Sequence, residues 1–387
     1  MRADVIEVDV AVVGAGIAGA SVAAHLAIER SVLLLEQESH PGYHTSGRSA
    51  ALFSEAYGNA VIRGLSVASR SFLEAPPSGF SDYPLLSPRG ALHVGSTGHE
   101  ETLESLLQAA RALVPSVRAV SADEAKAIVP VLRRSWVTQG VFEPDARDID
   151  TNSVLHGFLR LMRERGGRSL MNAEVIGVAR TGGDSWLIET KAGAVRAPTL
   201  VNAAGAWCDA VAMKAGIAPI GLCPLRRTAF LIEPPADVQS HDWPLVIGAD
   251  EDFYFKPDAG MLLASPADES PSPPCDVQPD DMDVAVAIER IQTAADLPVR
   301  RVARRWAGLR TFASDRTPVV GYDPSAEGFF WLAGQGGYGF QTAPALARSA
   351  AALALGQSLP SDIQDCGVTA AALSPDRFRP IQARRTA

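Results

Sequence analysis

The chain has 387 residues, 47% of them hydrophobic and 20% charged, and a formal net charge of −9. Its length exceeds one ordinary core and points to two domains, and its composition is that of a folded globular protein, neither disordered nor fibrous. The acidic balance argues against a nucleic-acid or anionic-membrane surface, and no apolar stretch reaches the ~18 residues that a membrane span needs.

The opening stretch MRADVIEVD lacks the apolar core of a signal peptide, so the chain is expected in the cytoplasm. The first 36 residues read as a complete β-α-β unit. VDVAVV is a β-branched strand, GAGIAG a turn, SVAAHLAIER a helix, and VLLLE a second buried strand ending at Glu36. Gly14 permits the tight turn, Gly16 lets a pyrophosphate approach the backbone, and Gly19 lets helix and strand pack closely. Glu36 stands where a ribose hydroxyl needs an acceptor, so the unit reads as a dinucleotide site.

Beyond Pro76-Pro77 the alternation breaks. LLSPRGALHVG reads as strand, Ser121 opens a capped helix, DIDTNSVLHGFLRLMRERGG begins another, and residues 172–200 read as strands joined by Gly182-Gly183. VNAAGAW follows a strand as a turn of the kind that approaches a cofactor. From Cys223 to Phe312 the signals are strand-like, interrupted over residues 264–283 by a Pro/Asp/Ser-rich stretch that reads as a surface loop, with a lid as the alternative. Arg300, Arg301, Arg304 and Arg305 form a basic run that reads as a solvated edge. Cys208, Cys223, Cys275 and Cys366 are scattered, giving no pattern for a metal or disulfide site. Near the end, GQGGYGFQTAPALARSAAALAL sets a second glycine cluster before a helix. It is either the flank of a core helix or a loop that approaches a ring.

GAGIAGASVAAHL with Glu36, then HPGYHTSGRSAA, VNAAGAWCD, FYFKPDAGMLLASPAD, WAGLRTF and GQGGYGFQTAPA resemble, in order and over nearly the whole chain, the D-amino-acid oxidase superfamily of flavoproteins. More narrowly they resemble bacterial D-amino-acid dehydrogenases of the D-arginine dehydrogenase type. The resemblance implies an α/β plus α+β architecture. A Rossmann-like FAD-binding domain of the glutathione-reductase type (residues 1–78, 146–220 and 319–387) is interleaved with a substrate domain on a mainly antiparallel sheet (79–145 and 221–318). It places Gly14, Gly16, Ile17, Ala18, Gly19, Glu36 and Gln37 at the ADP half of FAD, and Val175 at the adenine. Ser46, Gly47, Arg48, Ser49 and Ala50 would run beside the pyrophosphate and ring, with Ala204, Gly205 and Trp207 on the flank. Gly308, Gly336, Gly337, Tyr338, Gly339, Phe340 and Gln341 would meet the flavin, whose reduced form the dipole of the helix that follows would favour. WAGLRTFASDRTPVVG has no cysteine of the kind that anchors flavin in sarcosine-type relatives, so non-covalent FAD is expected.

The same resemblance puts a carboxylate clamp at Arg310 and Arg227, the planar guanidinium being suited to two parallel hydrogen bonds. Neighbours on a strand face opposite sides, so only one of Arg226 and Arg227 can enter the site, and the resemblance favours Arg227. Tyr57 and Tyr254 would wall the pocket with Gln341 beside the flavin, and His44 reads as a solvated turn residue. The implied reaction is hydride transfer from Cα to flavin N5, giving an imino acid that hydrolyses to a 2-oxo acid and ammonia, with no side-chain base. The electron acceptor, whether quinone, dye or O2, is left open. Leu52, Phe53 and Ala91 would line the side-chain pocket. D-arginine-type enzymes carry a glutamate at the position of Ala91 and a histidine at that of Leu52, so an apolar pocket favouring neutral D-amino acids is expected. The alternatives are an enzyme of the same fold acting on glycine, sarcosine, proline or a 2-hydroxy acid, a flavin subunit of a larger amine dehydrogenase, or a non-catalytic FAD-binding protein.

Overall fold

The computed structural model describes residues 5–182 and 184–378. Gly183 of the expected turn lies outside them, as do residues 1–4 and 379–387 of the expected cofactor domain. A six-stranded sheet runs in the order Arg168–Leu170, Val32–Leu35, Val10–Val13, Thr199–Asn202, Phe329–Ala333, Val319–Tyr322. Its pairings are parallel except the last. Val10–Val13 and Val32–Leu35 are buried at every position because a parallel sheet is covered on both faces. Val10 and Val12 point into one core while Ala11 and Val13 point into another.

The helix Ile17–Leu26 crosses one face and packs against the helices Thr151–Glu164 and Gly339–Ala354. Two glycines make this crossing tight. Gly14 has φ +102°, and a Cβ there would lie 2.5 Å from the Ala203 carbonyl oxygen. A Cβ on Gly19 would lie 1.8 Å from the carbonyl oxygen of Gly14 itself. Ser121 forms the expected capping box with Glu124, and Asp150 caps the helix Thr151–Glu164. Among the described residues no helix is long and apolar enough to cross a membrane.

The second large sheet has nine strands and is mainly antiparallel. Its longest pair, Cys223–Ile232 and Val302–Phe312, sets Leu225 opposite Arg310. From there the sheet continues through Met261–Ser265, Tyr254–Asp258, Leu245–Gly248, Ala91–Gly95 and Gln139–Glu143 to Arg118–Ser121. The two-residue period divides its side chains. Leu92, Phe230, Phe255 and Leu262 pack with the helix Asp281–Ala294 on the outer face, through Val284 and Ile291. Arg227, Tyr254, Ile247, Ala91, His93 and Glu143 look the other way, into a cavity.

A three-stranded sheet of Leu52–Phe53, Arg147–Ile149 and Leu86–Pro88 borders that cavity through Leu52. It is tied down at Asp148, which accepts from Arg89 at 2.6 Å and from Lys256 at 2.6 Å. Here one expectation fails. Leu52 faces the cavity, but Phe53, one residue on and therefore reversed, is 3% exposed within the main core. The stretch 264–283 lies over the surface and is tied to its neighbours. Ser270–Pro271 pairs with Leu225 and Arg226, Asp276 holds Arg48, and Glu269 bridges Arg227 and Arg316.

Candidate cofactor and substrate site

Three adjoining cavities share walls. Ile17, Thr45, Ser46, Gly336 and Gly339 border the first and second, while Ser49, Leu52, Arg227, Tyr254 and Arg310 border the second and third. Together they form one cleft running from the β-α-β unit to the nine-stranded sheet. Its first part is walled by Gly14, Gly16, Ile17 and Ala18, by Glu36 and Gln37, by Val175, and by Ala204, Gly205 and Trp207.

This end holds its own shape. Glu36 accepts the Ala15 N–H at 2.8 Å through one oxygen and the Glu38 N–H at 3.0 Å through the other. Ser46 Oγ accepts the Ile17 N–H at 3.0 Å. Gly19 and Gly47 stand behind the wall, Gly47 donating its N–H to the Gly42 carbonyl at 2.7 Å. The Val175 carbonyl accepts from Lys214 Nζ at 2.5 Å, which puts an ammonium in the wall that the sequence reading missed. His44, expected in solvent, also lines the cleft. Its Nε2 lies 2.9 Å from Glu38 Oε1, and its ring centroid 4.6 Å from that of Trp207.

The wall suits a dinucleotide carrying a polar ring. Gly16, Gly205 and Gly336 leave backbone bare along it, and the helix Ile17–Leu26 starts at it, with Ala18 of its first turn in the wall. Further along, Thr311 Oγ1 and Gln335 Nε2 belong to wall residues and are buried without a hydrogen-bond partner among the described residues. Orphaned buried groups of this kind call for a ligand's polar atoms.

In the middle part, Arg48, Ser49, Ala50, Gly308, Gly337, Phe340 and Gln341 form the wall. Arg48 contributes its stem, since its guanidinium is held by Asp276 at 2.5 Å and the Ala307 carbonyl at 2.9 Å. Gln341 donates to Ser66 Oγ at 2.8 Å, fixing the start of Gly339–Ala354 against the helix Ala60–Glu74. Tyr338 is a correction. It packs against Tyr57 at 5.0 Å and Phe312 at 6.3 Å, outside the wall, and burial pushes its phenol up to about 12.

At the far part, Arg227 faces the cleft and Arg226 the outer side, as alternation requires. Arg226 pairs with Asp268 at 3.3 Å and Asp283 at 2.5 Å. Arg227 donates to the Asp268 carbonyl at 2.9 Å and pairs with Glu269 at 3.3 Å. Arg310 differs from both, because no acceptor meets its guanidinium among the described residues. It lies against the glycine loop, where a Cβ on Gly337 would come within 2.9 Å of its Cζ. Burial works against its charge, but the phenols of Tyr57, Tyr254 and Tyr338 and the Glu269 carboxylate outweigh that and hold its pKa above the ordinary value.

Tyr57, Tyr254, Leu52 and Ala91 line this end as expected. The more apolar pocket expected from Ala91 and Leu52 is offset by polar groups in the same wall, Glu143, Ser54, His93 and Glu251. Ser54 Oγ donates to the Glu143 carboxylate, 3.0 and 2.8 Å from its two oxygens. Burial raises the Glu143 carboxyl to about 7 against the pull of the Ser54 hydrogen bond, with the charges of Glu55 and Asp145 adding to the rise. His93 is depressed to about 4 by burial and is neutral. Nothing local in GVFEPD marks this glutamate as a pocket residue. Only the register that sets Glu143 opposite Ala91 turns it inward.

A dinucleotide-shaped cleft that ends at an open guanidinium defines a flavin- or nicotinamide-dependent oxidoreductase. Residues 9–353 match the family described as "FAD dependent oxidoreductase" (DAO), and the chain belongs to it, with FAD as its cofactor. N-methyl-L-tryptophan oxidase of Salmonella typhimurium is 24% identical over 377 residues, covering 92% of this chain and 96% of the relative. The crystal structure of L-proline dehydrogenase from P. horikoshii superposes with TM-score 0.79 at 22% identity, over 97% of this chain and 98% of that one. L-alpha-glycerophosphate oxidase from Mycoplasma pneumoniae with FAD bound gives TM-score 0.81 at 17% identity, over 90% and 95%.

Proposed function

We propose that this protein is a FAD-dependent oxidoreductase acting on the CH–NH group of an amino acid whose carboxylate is held by Arg310. The observation that carries this reading is the Arg310 guanidinium itself, facing the cleft with no acceptor among the described residues. An enclosed cation of this kind is stable when its ligand brings the counter-charge, and the guanidinium fork matches a carboxylate with two parallel bonds. Arg227 is already engaged by Asp268 and Glu269, so it serves as the positioning neighbour and Arg310 as the clamp. Tyr57 and Tyr254 flank the clamp, while Leu52, Ala50 and Phe340 exclude water around the reacting carbon. Bound in the cleft, FAD supplies the two-electron acceptor. Holding the carboxylate fixes which face of Cα is presented, and orientation of this kind is a large part of catalysis.

In this reading residues 1–78, 146–220 and 319–387 form the cofactor lobe, and 79–145 and 221–318 the substrate lobe. The sequence motifs favour D-amino acids, and the relative that acts on N-methyl-L-tryptophan adds N-alkylated and L-configured substrates. The test is anaerobic bleaching of the flavin-loaded protein by D- and L-amino acids, N-methyl amino acids, glycine and proline, beside glycerol 3-phosphate and 2-hydroxy acids. Bleaching by an amino acid is expected, and bleaching by the phosphate or hydroxy acids alone would refute the reading. An oxygen electrode during turnover identifies whether O2 is the acceptor.

A further inference from the structure

We propose that Glu143, oriented by Ser54, is a second recognition point in this cleft and takes the ammonium or guanidinium group at the end of a substrate's side chain. The inference rests on the amino-acid reading above and adds the substrate's distal chemistry to it. Three observations carry it. First, Glu143 is 8% exposed, stands in the cleft wall, and has no cationic partner among the described residues, Ser54 being the donor that reaches it. A buried carboxylate is ordinarily paired, and this one faces open space.

Second, the cleft is polar in a directional sense. Arg227 and Arg310 lie on adjacent strands at one side of the cavity. Glu143 lies on the other, three strands beyond Tyr254 through Leu245–Gly248 and Ala91–Gly95. Arg310, Arg227 and Glu143 nevertheless line one and the same cavity, so a ligand held by the arginines shares its space with the carboxylate. Glu55 and Asp145 lie close enough to act on Glu143 by charge. An anion is therefore favoured at one end and a cation at the other.

Third, the neighbours make room. Ala91, directly opposite Glu143, leaves the carboxylate uncovered, and His93, neutral because it is buried, brings no competing charge. The raised pKa of Glu143 is what a carboxylate shows before its counter-charge arrives.

The test compares side-chain isosteres on the flavin-loaded protein, using arginine against citrulline and lysine against norleucine, in whichever enantiomer bleaches the flavin. The expected kcat/KM ratio is tenfold or more in favour of the cationic member, falling towards unity in Glu143→Gln. A wild-type ratio near unity would overturn the proposal. So would a ratio that survives Glu143→Gln, or one that is lost instead in Glu251→Gln. A second arm reads the subsite without turnover, by calorimetric binding of 6-aminohexanoate against hexanoate, neither of which has an α-amine to oxidise. Tighter binding of 6-aminohexanoate that depends on Glu143 upholds the subsite even if no amino acid bleaches the flavin, an outcome that refutes only the oxidation reading. Equal binding of the two probes overturns the subsite while leaving that reading intact.

Discussion

Replacing Glu143 by glutamine should make the protein more stable, and more so at high pH. Burial raises the carboxyl to about 7 from its ordinary 4.5. Between those values the folded chain binds more protons than the unfolded one, so stability falls as pH rises through that window, and the loss is complete above it. At 1.36 kcal/mol per tenfold change in proton affinity, that rise costs about 3.3 kcal/mol at pH 8, against less than about 1 kcal/mol at pH 5. Glutamine does not titrate, and whatever its amide costs to bury is the same at both pH values and cancels. For 387 residues, with an unfolding entropy of ~2.1 cal/mol/K per residue, the extra gain at pH 8 is about 3 °C in Tm. Intrinsic fluorescence melts of the flavin-loaded protein and the variant, at pH 5 and pH 8, measure this directly. A Tm difference that is the same at both pH values, or a variant less stable than wild type at pH 8, would refute a buried carboxylate without a counter-charge.

The arginines should separate by role. Arg310→Met should keep FAD and lower kcat/KM by the equivalent of about 2 to 5 kcal/mol, the cost of removing one partner of a buried charged contact. Arg227→Met should cost less, and Arg226→Met should lower Tm by stranding Asp268 and Asp283 while sparing turnover; an activity loss largest at Arg226 would overturn the assigned facing. Gly337→Ala should push the Arg310 guanidinium aside and depress kcat/KM without lowering the ratio of 450 nm flavin absorbance to protein, and Gly14→Ala should lower that ratio itself. Acid precipitation should leave the yellow colour in the supernatant, whereas a coloured pellet would show a covalent link.

The parts of the molecule governed by local rules were legible in the sequence. The β-α-β unit is set by glycine sterics and two apolar runs, and Ser121 and Asp150 cap their helices because capping is decided within four residues. Alternation restricted the clamp to one of Arg226 and Arg227 without choosing between them. What escaped was set by register. Leu52 and Phe53 are adjacent on a strand and must diverge, so Phe53 enters the core while Leu52 faces the pocket. Glu143 became a pocket residue through a strand pairing that joins segments nearly fifty residues apart, which no local pattern encodes. His44 stands in a turn and was read as solvated, but Glu38 and Trp207 hold it in the wall.

The Glu36 and Ser46 contacts with the first glycine turn bear on how the cofactor arrives. Both side chains are fastened to backbone N–H groups of the protein itself, and the Gly14–Gly19 contact locks turn to helix. The first glycine turn of the nucleotide cradle is thus fastened by the chain's own bonds. A deflavinated chain should accordingly keep its fold and regain FAD in a single second-order phase, with a rate proportional to FAD concentration and no slower annealing step behind it.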